Sequence, residues 1–274
     1  MNLIILGEHS DDKGKQLEKL TTRILSHHGY KNITTNIIKN GGQEIDVEAI
    51  HEKPGFGNLD ISNVLCECKA YTKAMAMSDW LKFLGKVFIS KIGVNTSAYF
   101  IALNGVNGNV AGSYQDLKKQ HKNIHLVTGE DLLKPLNQIY KMITVEEIQS
   151  RVKVLTDRNP TEISICYYNE TLYFLLAFVD NTFSILSQNG QRLEKDECDQ
   201  ICKLISVNTN HINYLDLESE KVAKDRKQRI KKYIICIIFE KSDFISFDDL
   251  QTKLLSYKEI FDNLTELEIN DILT

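Results

Sequence analysis

Residues 40–50 read NGGQEIDVEAI and residues 63–71 read NVLCECKAY, and the pairing of these two stretches decides the fold. Gly41-Gly42 predicts a turn into a strand. Side chains alternate along a strand, so Glu44, Asp46 and Glu48 point one way and Ile45, Val47 and Ala49 the other. In the second stretch Leu65, Glu67 and Lys69 share one face, and Val64, Cys66, Cys68 and Ala70 share the opposite one. Residues 51–62, with Pro54, Gly55 and Gly57, read as a hairpin loop between the two strands. Pairing them brings Asp46, Glu67 and Lys69 to one face at one end of a small sheet.

Two readings of that constellation stand side by side. Charges at alternate strand positions ordinarily make a solvated face with cross-strand ion pairs. The chemical reading is phosphodiester hydrolysis, which needs a divalent cation to offset transition-state charge and activate water. Mg²⁺ takes hard oxygen ligands, a few carboxylates completed by water and substrate phosphate, and Asp46 and Glu67 supply such carboxylates. A lysine beside the water orients it and favours hydroxide, which is the place Lys69 would take. Polar residues here occupy positions that are apolar in a sheet covered on both faces, a local inconsistency typical of functional sites.

Outward from this centre, Ser10, Asp11 and Asp12 offer N-caps for a helix of about sixteen residues with Leu17, Leu20, Ile24 and Leu25 on one face, closed by Gly29. ITTNIIK reads as the strand before the glycine pair. After the second stretch come a helix from Ser78 to Ser90, the strand SAYFIAL, a helix over 110–121, the strand NIHLVT and a helix over 130–140. The order α-β-β-β-α-β-α-β-α predicts an α/β fold, a mixed sheet flanked by helices. Beyond it, ISICYYN, TLYFLLAF and TFSILS read as an antiparallel meander with turns at Asn169-Glu170 and Asp180-Asn181. Helices are expected over 194–205 and 216–232, then over YIICIIFE, from Phe247 and from Thr265. The expected division is a domain over 1–145 and a smaller α+β domain over 146–274.

A hydrophobic share of 42% with 26% charged residues fits a folded globular chain and excludes a disordered or low-complexity one. The opening MNLIILGEHS is too short in apolar residues and lacks the basic start of a secretory signal, and no stretch has membrane-span length. The expected location is the cytoplasm, with the six cysteines as reduced thiols. Residues 1–145 carry 17 Lys+Arg against 14 Asp+Glu, net +3, and residues 146–274 carry 16 against 23, net −7. The acids of the constellation lie in the positive half, so its remaining surface is more basic than the sum, as phosphate binding requires. Lys73, Lys82, Lys86 and Lys91 follow the second strand and read either as a DNA groove, with Tyr71 and Trp80 beside them, or as an ordinary solvated face.

GKQLEKLTTRILSHHGY, NGGQEIDVEA, LCECKAY and VTGEDLLKPL together resemble the Mrr-like branch of the PD-(D/E)xK restriction endonuclease superfamily, over about half the chain. The resemblance implies a restriction-endonuclease-like fold and a Mg²⁺-dependent deoxyribonuclease, with Mn²⁺ as a substitute. It makes Asp46 and Glu67 the metal-binding acids and Lys69 the catalytic lysine. Glu18 matches an acid that joins such sites from the first helix, although a glutamate at a helix edge also reads as solvent-facing. Asn40 stands where the family commonly has an acid, and the extra Gln43-Glu44 brings Glu44, with Glu48, into play as neighbours of the metal. The implied substrate is double-stranded DNA, and the implied setting is restriction or antiphage defence, with cutting gated by a protein partner or by self-association through the C-terminal half. A structure-selective resolvase or repair nuclease, and a non-catalytic DNA-binding subunit, are the alternatives.

Overall fold

A computed structural model describes residues 1–39, 43–54, 59–89, 96–240, 245–256 and 265–273. The expected Gly41-Gly42 turn and Lys91 lie outside the described residues. The fold is mixed α/β, with two mixed five-stranded sheets flanked by helices. The first sheet is built as expected. Helix α1 (Ser10–His27), counted after a short strand β1 (Leu3–Ile5), precedes β2 (Lys31–Lys39), β3 (Gln43–Pro54) and β4 (Leu59–Lys69). Then follow α2 (Met77–Ile89), β5 (Thr96–Ala102), α3 (Gly108–Gln120), β6 (Ile124–Thr128) and α4 (Gly129–Tyr140). Strands lie in the order β2-β3-β4-β5-β6, antiparallel from β2 to β4 and parallel from β4 to β6. Residues 51–62 are largely strand: pairing runs on from His51↔Ser62 to Pro54↔Leu59. Proline is tolerated there because it occupies the last paired position.

The two faces of this sheet are covered by different helices. On one, Trp80, Phe83 and Val87 of α2 and Val110 of α3 pack with Ala98, Phe100 and Ala102 of β5. Trp80 is fully buried and donates Nε1–H to Ser113 Oγ at 3.1 Å, so it is a core residue and does not serve as a stacking platform. On the other face, α1 lies over β2, β3 and β4 with Leu17, Leu20, Thr21 and Leu25 buried. Thr21 Oγ1 donates to Leu17 O at 2.9 Å and lies 3.5 Å from Cys68 Sγ.

The second sheet departs from expectation in one respect. After α5 (Val145–Leu155), the meander β7 (Glu162–Tyr168), β8 (Thr171–Ala177) and β9 (Thr182–Ser187) forms as read, with Asn169 and Glu170 both at positive φ (44° and 63°), the backbone a two-residue hairpin turn requires. Its outer partners are β1, parallel to β7, and β10 (Asn213–Tyr214), parallel to β9. Helix α6 (Lys195–Asn208) covers one face through Cys198, Ile201, Leu204 and Ile205. The N-terminal segment thus supplies a buried strand, with Leu3 5% and Ile5 and Leu6 0% exposed. Ile5→Ala is expected to lower the unfolding free energy by about 3 kcal/mol, read as a lower urea midpoint.

Contacts divide the chain into Met1–Ile148 with Pro160–Tyr214, and Gln149–Asn159 with Leu215–Thr274, and not at 145/146. The reason is β1, whose pairing with β7 places the meander in the first unit. Apart from the end of α5, the described part of the second unit consists of α7 (Leu217–Glu240), α8 (Phe247–Ser256) and α9 (Glu266–Leu273). The stretches 216–232 and YIICIIFE are one helix: no Gly or Pro interrupts 217–240, and Ile230, Ile234 and Ile237 form one buried stripe against Leu250, Leu254 and Ile269. Arg226 holds Glu268 through two bonds of 2.6 and 3.1 Å. Among the described residues no helix is long and apolar enough to cross a membrane.

Candidate active site

Strand parity places the functional side chains. Val47 pairs with Cys66 and Glu48 with Leu65, so the face carrying Asp46 on β3 is the face carrying Glu67 and Lys69 on β4. Beyond Val47 the ladder gives way: the Cys68 amide donates to the carboxylate of Asp46, at 2.6 Å from Oδ2. This bond fixes Asp46 where the strands part. Both acids are buried, Asp46 at 8% and Glu67 at 6% exposure, although carboxylates are rarely buried without partners.

Their partners are two lysines. Lys69 Nζ lies 2.8 Å from Glu67 Oε1 and 3.7 Å from Asp46 Oδ2. Lys86, reaching in from α2, grips both Glu67 oxygens at 2.8 and 2.7 Å. Two carboxylates and two ammonium groups therefore cluster at the end of β4. Burial pushes the Asp46 carboxyl above its ordinary value, the charge of Glu67 adds to this, and Lys69, the Cys68 amide and Lys86 oppose it. Burial acts to lower the Lys69 ammonium, but Glu67 and Asp46 outweigh it and push the group up to about 12. Lys69 is thus a fixed cation at neutral pH.

The remaining candidates separate. Glu18, on α1, accepts from Asn36 Nδ2 at 3.1 Å. Asn36 sits at φ 55°, a left-handed conformation that asparagine tolerates better than most residues. Burial raises the Glu18 carboxyl, and Asp46 adds to the rise, so the two feel one another without a common contact. Glu44 is exposed and Glu48 half-buried one strand pair further along. Lys73 and Lys82 are exposed, as the solvated or groove reading required, and Tyr71 is 52% exposed. Lys86 has a more specific place than a groove wall. What sequence missed is that its ammonium is a member of the site; its spacing three residues after buried Phe83 was the available signal.

The donor set suits a hard divalent cation. Two carboxylates on one face, with Asp46 held up by burial and by Glu67, would be relieved by added positive charge. Among the described residues no three His, Cys, Asp or Glu gather into a closed cage. Two carboxylates completed by water and phosphate is the habit of Mg²⁺.

Residues 11–136 match the restriction endonuclease family, in its Mrr catalytic domain. The matched segment contains Glu18, Asp46, Glu67, Lys69 and Lys86, and bears out the resemblance read from the sequence. It supports a nuclease of the restriction endonuclease kind as the class of this part of the chain. No curated protein matches the chain. Among solved structures, one titled "MspJI Restriction Endonuclease in Complex with 27-mer Oligonucleotide" is similar at 11% identity with a TM-score of 0.33. The likeness covers 46% of this chain and 28% of that one, so the chain spans well under half of that protein.

Proposed function

We propose that the protein is a metal-dependent endonuclease that hydrolyses DNA phosphodiester bonds, with Asp46 and Glu67 as the carboxylates that hold Mg²⁺ and Lys69 as the catalytic lysine. The observation that carries this reading is the burial of both acids on one sheet face with the Lys69 ammonium 2.8 Å from one and 3.7 Å from the other. A solvated ladder of ion pairs would leave such groups exposed. The restriction endonuclease match over residues 11–136 supports DNA as the substrate, and we take that DNA to be double-stranded.

In this reading a bound divalent cation, Mg²⁺ or Mn²⁺, supplies Lewis-acid charge at the scissile phosphate. Asp46, oriented by the Cys68 amide, and Glu67 provide oxygen ligands. Lys69 enters the reaction protonated, because its two carboxylate neighbours hold it so; it orients water and offsets charge on the phosphate and does not act as a base. Glu18 completes the anionic surroundings of Asp46 from α1, and Glu44 and Glu48 extend them. Lys73 and Lys82 extend the cationic surface toward DNA.

Lys86 and a cation would compete for the same two Glu67 oxygens. Lys86→Met is therefore expected to lower the melting temperature of the metal-free protein and to tighten Mg²⁺ binding on the order of tenfold, measured by calorimetric titration. Unchanged Mg²⁺ affinity would mean that the Lys86 pair plays no part in metal binding.

We place the nuclease function in the segment matched over residues 11–136, and assign the C-terminal half, residues 146–274 with net −7, to regulation or to docking a protein partner or second copy, its meander packing in the same compact unit as the nuclease segment. Such gating fits a restriction or antiphage effector acting in the cytoplasm, where its six unpaired thiols are stable. The reading is tested by incubating supercoiled plasmid with the protein in Mg²⁺, Mn²⁺ or EDTA. Nicked and linear products in either metal and intact plasmid in EDTA are expected; intact plasmid under all three conditions, with and without candidate partners, would sink it.

A further inference from the structure

On the α1 side of the first unit lies an open cleft of about 460 Å³, lined by Lys15, Glu18, Lys19 and Arg23 of α1, Asn36 of β2 and Glu170 of the β7–β8 turn. Three of its walls come from distant parts of the sequence: α1, the middle of β2, and the β7–β8 turn. That turn is held against α1 by a reciprocal pair, Gln16 Nε2–H to Asn169 Oδ1 and the Asn169 amide to Gln16 Oε1, both 3.1 Å. Gln16 is 2% exposed, so the cleft is a fixed feature of the first compact unit.

Lys15, Lys19 and Arg23 recur every four residues, which puts them on one helix face. All three are exposed, and among the described residues none of the three is seen in an ion pair, as is also the case for Lys118 and Lys122 of the same unit. The row spans about 12 Å at 1.5 Å per residue, the axial length of three to four phosphates on one strand of duplex DNA. The Thr22 hydroxyl beside them is buried without a hydrogen-bond partner.

We propose that the α1 cleft holds the phosphodiester backbone of the DNA strand next to the reacting site, with Lys15, Lys19 and Arg23 as its phosphate-binding cations. The inference rests on the nuclease reading and adds to it the path of the substrate. Glu18 joins the two places: it lines the cleft and accepts from Asn36 Nδ2 at 3.1 Å, and Asn36 stands on β2 between the partners of Val47 and Ile45, across from Asp46. Glu18 and Glu170 oppose a polyanion within the lining, so phosphates are favoured only along the cationic row. An acidic protein surface is the competing occupant, and it predicts unchanged DNA affinity when the row is removed.

The test is anisotropy of a labelled 20-base-pair duplex in EDTA, which prevents cutting, across a salt series. Wild type is compared with Lys15→Ala/Lys19→Ala/Arg23→Ala and with Lys118→Ala/Lys119→Ala/Lys122→Ala, an equal charge change on and after α3. The cleft variant is expected to lose on the order of 10²-fold in affinity at 0.1 M salt, with the slope of log K against log salt reduced by about 2.7. The α3 variant is expected to stay close to wild type. Equal losses in the two variants, no loss in either, or a wild type that binds no duplex would each overturn the proposal. Plasmid cleavage by the same wild-type preparation in Mg²⁺, with and without candidate partners, tells the two failures apart: cutting with an unaffected cleft variant sinks the path alone, and no cutting under either condition sinks the nuclease reading with it. Matching thermal melts of the three proteins exclude misfolding as the cause.

Discussion

Lys69→Ala is expected to slow DNA cleavage by about 10³-fold while leaving the fold intact and duplex binding within about tenfold of wild type, the magnitude expected for removing one preorganised charge from a phosphoryl-transfer site. The fold survives because Glu67 keeps Lys86 on both of its oxygens when Lys69 is removed. Binding survives because one cation among many phosphate contacts changes affinity by only about tenfold at moderate salt. Lys69→Arg is expected to recover little, since a planar guanidinium does not present a point charge in the space between two buried carboxylates. Single-turnover nicking rates separate these outcomes from a loss of affinity.

The second large effect is a divergence in stability between two variants that should both abolish cleavage. Asp46 carries a carboxyl raised by burial and by Glu67, so its charge destabilises the metal-free fold. The sign follows from linkage: the folded state holds the Asp46 proton more tightly than the unfolded chain. Stability is therefore lost as pH rises from the ordinary Asp range through the folded value. Asp46→Asn removes the deficit and keeps an oxygen for the Cys68 amide, so a gain of about 1 kcal/mol is expected in EDTA. Glu67→Gln removes the counter-charge of Lys69 and Lys86 together. Their side chains are 21% and 27% exposed, so partial solvation softens the loss, and about 2 kcal/mol of destabilisation is expected. The Lys69 contribution has the opposite pH sense: with its ammonium pushed up to about 12, that stability is present below the ordinary lysine value and lost as pH rises through about 12. Urea titrations of both variants in EDTA, with and without added Mg²⁺, check the pair. A shift of the same sign in both would contradict the electrostatic account.

What the sequence made legible was what strand parity can carry. Alternation alone put Asp46, Glu67 and Lys69 on one face, and the antiparallel register agrees with it. Periodicity also located α1 to α4 and the meander, because each has an apolar stripe or run of its own. Lys86 was harder to place, because its role depends on how α2 lies across β4, a tertiary distance that no local pattern encodes. The same holds for Lys15, Lys19 and Arg23, whose spacing is visible but whose cleft needs β2 and the Asn169–Glu170 turn to close it. Strand β1 escaped notice because three residues are too few to show a period, and its partner lies some 160 positions away. With it went the division of the chain, since that single parallel pairing carries the meander into the first unit. The hairpin around Pro54 was read too short, because Pro and Gly mark turns but do not show how far pairing runs into them.

The most direct measurement is the single-turnover nicking rate of supercoiled plasmid by wild type and Lys69→Ala, each with Mg²⁺ and with EDTA. The account predicts nicking by wild type in Mg²⁺ alone, with Lys69→Ala slower by about 10³-fold at equal DNA occupancy. Equal rates for the two proteins, or nicking that persists in EDTA, would contradict it and remove Asp46, Glu67 and Lys69 from the chemistry.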